Sequence, residues 1–143
     1  MTINVDRAPD LGFQTRSERL DKLFEETAMS LTNLIVDTHT VLRKETKKID
    51  LVGTSNNELL HAWLAEITFL LDYEHFLPGE FVVEIFHDEA GELRLRATVC
   101  GERIDSKRHV LRNRIKTVLV KDETLIECED GTWVANVVVI FYS

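Results

Sequence analysis

Apolar residues recur at intervals of three and four at Leu20, Leu23, Phe24, Thr27, Ala28, Leu31, Leu34 and Ile35, with Ser17 ahead of them able to cap a first turn. That period places one face of an amphipathic helix on a core. A second helix is marked more sharply. Ser55-Asn56-Asn57-Glu58 is a capping-box sequence, Leu60, Trp63, Leu64, Ile67, Leu70 and Leu71 then share one face, and Pro78-Gly79 closes the region. The period then changes to two. Phe81, Val83 and Ile85 alternate with polar residues, and Leu93, Leu95, Ala97 and Val99 alternate with Arg94, Arg96, Thr98 and Cys100. Asp88-Glu89-Ala90-Gly91 reads as a hairpin turn between those runs. Glu129-Asp130-Gly131 is a second, joining Leu125–Cys128 to the β-prone run from Trp133 to Tyr142. Thr38 to Leu51, with Lys44, Glu45, Lys47 and Lys48, has little to bury and reads as a polar edge strand. Two helices and about seven strands in this order predict an α+β domain, its helices packed on one side of a curved, mainly antiparallel sheet.

With 143 residues, 44% of them hydrophobic, the chain (residues 1–143) fits one domain with one core. The apolar cluster from Ala62 to Leu71 contains Glu66 and Thr68 and falls short of the ~20 residues that cross a bilayer, so no membrane span is expected. Charges in MTINVDRAPDLGF interrupt any secretory leader, which predicts a cytoplasmic protein. Cys100 and Cys128 lack the paired spacing of a zinc or redox site and are expected to be reduced.

Charge changes this picture most. The formal net charge is −8, yet Gly101 to Lys121 holds seven basic residues against two acidic ones, so this segment is +5 in a chain otherwise −13. Such a separation steers an anionic partner toward one patch while the molecule as a whole repels polyanions. Arg103, Asp105, Lys107, Arg108, His109, Arg112, Arg114 and Lys116 form the cluster. One reading is a docking surface for a carboxylate-rich or phosphate-bearing partner. The other is a solvated connection in which Asp105 caps a turn and pairs with Arg108 or His109. Arg112, Arg114 and Lys116 have the alternation of one strand face, but no aromatic residue is interleaved to stack on bases, so stable direct binding of nucleic acid is not expected. Ser106, His109 and Asp105 lie too close in sequence to make a catalytic triad, and no Gly-rich phosphate loop is present. His39, His61, His75 and His87 have no zinc-enzyme spacing.

Gly101-Glu102-Arg103-Ile104-Asp105, followed by Arg108-His109 and Ile115-Lys116, resembles the G-E-x-h-D-x-x-R-H…h-K pattern (h apolar) of archeases, small accessory proteins of RNA ligases. Asp6 to Phe13 is similar to that family's amino-terminal D-x-x-x-D-x-G-[FA] element, and Gly131 to Val138 to its G-x-W-V-A-x-V-V strand. The resemblance implies an α+β fold in which the two ends of the chain meet. It implies a non-enzymatic factor that promotes guanylylation and multiple turnover of an RtcB-type ligase in tRNA splicing or RNA repair. It further implies Arg103, Asp105, Arg108, His109 and Lys116 as partner-contact residues, and Asp10 with Asp6 as ligands of a divalent cation, calcium or magnesium. Carboxylates flanking the tight Ala8-Pro9 step suit such a cation on chemical grounds as well. The chain departs from the pattern in three places. Ile140 stands where the second metal aspartate is expected, Arg7-Ala8-Pro9 replaces His-Thr-Ala, and Val120-Lys121 replaces Tyr-His. The first departure favours an alternative: a diverged protein-binding or chaperone-like module without a metal site.

Overall fold

The computed structural model describes residues 10–119 and 124–142. It contains strands β1 (Asp10–Ser17), β2 (Glu45–Gly53), β3 (Phe76–His87), β4 (Leu93–Arg103), β5 (Ile115–Leu119), β6 (Leu125–Glu127) and β7 (Trp133–Phe141). Helix α1 (Leu20–Asn33) follows β1, a short 3-10 turn covers Thr38–Thr40, and helix α2 (Asn56–Asp72) follows β2. The expected class is thus observed, with two helices and seven strands, all paired antiparallel.

The strands form two sheets rather than one. β2-β4-β3 make a three-stranded sheet, and β1, β5 and β6 all pair with β7 in a second, four-stranded one. β2 is an edge strand, as its polar sequence predicts. Of the described connections, two pass between sheets: β1 through α1 to β2, and residues 104–114 from β4 to β5. The basic segment is therefore the crossover, and Arg112 and Arg114 lie in it rather than on a strand, leaving Lys116 alone of the three on β5.

Helix α1 buries Leu23, Phe24, Thr27, Ala28, Leu31 and Thr32. Its N-cap is Arg19, without a side-chain cap, whereas Ser17 Oγ accepts a bond from the Arg19 amide at 3.4 Å and Asp21 Oδ1 accepts one from Lys22 N. The capping signal two residues upstream thus sets the approach to the helix and not its first turn. In α2, Ser55 accepts from Glu58 N as expected, but the Glu58 carboxylate returns to Thr54 N and Oγ1 instead of Ser55 N. That helix ends at Asp72, and Pro78-Gly79 belongs to β3, at a register shift against β4. Trp63 is fully buried, donates from Nε1 to the Phe24 carbonyl at 2.9 Å and meets Phe81 edge-on, locking the two helices to β3. No described helix is long and apolar enough to cross a membrane, and both cysteines are free.

Candidate functional site

The crossover leaves β4 through a position that tolerates no side chain. A Cβ at Gly101 would lie 2.0 Å from the Leu77 carbonyl oxygen, at the β3 bulge, so only glycine lets these backbones approach. The next residue, Glu102, is buried, and the segment folds back over it. Its carboxylate accepts from Arg108 Nη2, from the Leu42 amide at 2.6 Å and from His109 Nε2 at 3.0 Å, with Lys44 Nζ at 3.9 Å. Burial alone would raise the Glu102 pKa; the Arg108 guanidinium, the Leu42 N–H and His109 outweigh it and hold the group at about 2. Glu102 in turn raises Arg108 above its ordinary value.

His109 has a fully enclosed side chain. Its Nδ1 accepts from the Asp105 amide at 2.8 Å, which leaves the proton on Nε2, where it is donated to Glu102. Asp105 makes the turn: its Oδ1 accepts from Lys107 N, and its carbonyl accepts from the amides of Arg108 and His109. Arg108 also donates from Nη1 to the Thr40 carbonyl at 3.2 Å, and its side chain stays 38% exposed.

The far end of the crossover is fixed to the end of α1. Arg112 donates from its amide to Ile35 O at 2.7 Å and from Nη1 to Asn33 O at 2.8 Å, while Asn113 Nδ2 donates to Leu34 O. These groups satisfy carbonyls that the helix terminus leaves open, and they bring a cation to its negative end. Arg114 pairs with Asp72 at 2.9 Å and stacks over Tyr142 at 4.6 Å.

The structure therefore gathers Asp105, Arg108 and His109 around Glu102, a residue that sequence reasoning passed over. It sets Arg103 apart at the end of β4, 3.9 Å from Glu45, and Lys116 on β5. Docking and a capped turn were alternative readings of this cluster; its inner half adopts the capped turn, while its outer half exposes Lys107, Arg112, Arg114 and Lys116. Among the described residues, Lys107 and Lys116 have no ion-pair partner.

At the other candidate site, β1 and β7 bring the two ends together as the resemblance implies, and Asp10 is the cross-strand partner of Ile140. Asp6, with the altered Arg7-Ala8-Pro9 and Val120-Lys121 positions, lies outside the described residues. A hard divalent cation takes about six or more oxygen ligands. Ile140 supplies none, and among the described residues no group of three or more His, Cys, Asp or Glu side chains converges. Position 140 therefore offers no side-chain oxygen opposite Asp10.

Residues 4–139 match the model of the Archease protein family (MTH1598/TM1083). The chain is similar to "Protein archease" of Methanopyrus kandleri, 33% identical over 135 residues that span 94% of this chain and 95% of the relative. It is 28% identical to "Protein archease" of Pyrococcus abyssi, with 94% of each chain covered. Its fold superposes on the solution structure of Methanobacterium thermoautotrophicum protein 1598 with a TM-score of 0.78 and 26% identity, covering 92% of this chain and 91% of that one.

Proposed function

Because the chain belongs to the archease family, we propose that it is a non-enzymatic accessory factor that activates an RtcB-type RNA ligase, promoting the guanylylation and multiple turnover of that enzyme in tRNA splicing or RNA repair in the cytoplasm. The observation that carries this reading is the crossover: a cationic segment in an acidic molecule, held in one shape at both ends and presenting Arg108, Arg112, Arg114 and Lys116 at its surface. A surface fixed in this way docks on its partner with little ordering cost. It then lowers the partner's barrier by positioning groups that the partner supplies. In this reading Arg103, Arg108 and Lys116 touch the ligase, and His109 and Asp105 act by shaping the turn that presents them. Asp10, with or without a cation, contributes a carboxylate that helps arrange the nucleotide phosphates and metal at the ligase's active site. RNA is bound by the ligase and not by this protein.

Multiple-turnover ligation by the RtcB-type ligase of the same organism, at limiting ligase and saturating GTP, tests the proposal. Stimulation well beyond one ligation per ligase is expected. No stimulation of a ligase active in a single turnover would overturn it.

The pairing of Asp10 with Ile140 favours a second reading, a diverged protein-binding or chaperone-like module that works without a metal. In that case the fold and the docking crossover persist with another partner, and ligation is unaffected.

A further inference from the structure

Beside the crossover the fold opens a cleft of about 500 Å³, between the end of α2 and the start of β5. Leu71, Ile104, Leu111 and Ile115 give it an apolar lining; Ile104, Leu111, Arg112 and Arg114 come from the crossover itself. Leu111 is 46% exposed, and its neighbour Val110 is 80% exposed. A merely solvated connection has no use for two exposed aliphatic residues in a backbone pinned on one side by Glu102 and on the other by the end of α1. Adjacent exposed apolar residues beside a preformed concavity mark a contact surface.

We infer that this cleft is the docking site for an acidic segment of a partner protein, which inserts an aliphatic or aromatic side chain among Leu71, Ile104, Leu111 and Ile115 and sets its carboxylates against Arg112 and Arg114. Charge selects the occupant. On the cleft wall Asp72 and Arg114 pair with each other, which leaves Arg112 as the net positive charge at the mouth, within a segment of +5 in a chain otherwise −13. A short acidic peptide senses that local field, because screening at physiological ionic strength confines it to about 8 Å. A long polyanion such as RNA also meets the acidic remainder of the molecule. The inference deepens the accessory-factor reading by naming the chemistry the docking surface recognises. It is tested on the purified chain alone, so its failure is separable from a failure to stimulate ligation.

The probe is a random dodecapeptide display library selected against the full chain, with affinities of the selected peptides measured by titration calorimetry. The expected consensus places one large apolar residue beside several Asp or Glu. Binding should weaken roughly tenfold in Leu111→Asp and in Arg112→Gln, and with added salt. Val110→Asp, at an almost fully exposed position, serves as a further variant should Leu111→Asp lower the melting temperature. Recovery of no binder, a consensus without acidic residues, or affinities unchanged in all three variants would overturn the proposal. So would self-association by sedimentation velocity that Leu111→Asp abolishes, which would make a second copy of the chain the occupant. Tight binding of a fluorescein-labelled single-stranded RNA, lost in the same variants, would overturn it in favour of RNA.

Discussion

The crossover and the β1–β7 edge hold the two groups of candidate site residues, and they are built differently. Around Glu102 every polar group has a partner: Arg108, His109 and the Leu42 amide share the carboxylate, and the Asp105 amide completes His109. At the β1–β7 edge the aspartate at position 10 faces an isoleucine across the sheet. Loss of one member of a buried hydrogen-bonded set strands the others without water, whereas loss of one carboxylate from an open metal edge leaves nothing buried and unpaired. The first set is therefore held by the stability of the fold. The difference teaches that the motif's Gly101, Glu102 and His109 build the loop, while its exposed cations present groups outward.

The contrast is broken most severely at Gly101. Gly101→Ala places a methyl group against the Leu77 carbonyl, and we expect a loss of about 4 kcal/mol or more, or failure to fold, measured by urea denaturation. Glu102→Gln removes the charge that Arg108 and His109 surround, at an expected cost of roughly 3 kcal/mol and a melting temperature lower by roughly 10 °C. The same variant sharpens the pH behaviour. The Glu102 pKa is depressed from 4.5 to about 2 in the folded state, so its contribution is complete above about pH 4.5 and is lost as the pH falls toward 2. The wild type should accordingly lose more of its melting temperature between about pH 5 and pH 3 than Glu102→Gln does; equal losses would refute the ionised latch. Arg108→Ala, at the boundary between latch and surface, should reduce stimulated ligation roughly tenfold, the loss of a charge-assisted contact, while the circular dichroism spectrum stays native.

The smallest effect is expected at the β1–β7 edge. Millimolar calcium or magnesium should leave the melting temperature of the wild type unchanged, because Ile140 gives no carboxylate opposite Asp10. Ile140→Asp, which returns a carboxylate opposite Asp10, should gain a calcium-dependent rise of a few degrees. A rise of that size in the wild type would remove the distinction between the two regions.

Both helices were legible because Leu20 to Ile35 and Leu60 to Leu71 keep a helical period, and the hairpins because Gly91 and Gly131 adopt positive φ in their turns. The division into two sheets was not, since alternation along a strand says which face is buried but not which strand lies beside it. Glu102 was missed for a related reason. Leu95, Ala97, Val99 and Gly101 are the inward series of β4, so position 102 has outward parity, and only the returning turn at 105–109 covers it. The available signal was a glycine in phase with the core, then an acid, with Arg-His six and seven residues on. His109 read as a surface group from its basic neighbours; its burial follows from the same turn.

Strand β7 is the partner of β1, β5 and β6 alike. During synthesis this imposes an order of events. The three-stranded sheet and α2 are complete in sequence once Arg103 has emerged, but β1, made first, has no neighbour to pair with until residues 133–141 leave the ribosome. Its apolar residues wait for more than a hundred further residues, an interval of roughly ten seconds at ordinary elongation rates. Pairings of such long sequence separation also slow the search for the native state. Chains truncated before β7 should therefore leave the strands of the four-stranded sheet open to aggregation, and the emergence of β7, rather than collapse of the first sheet, should time the completion of the fold.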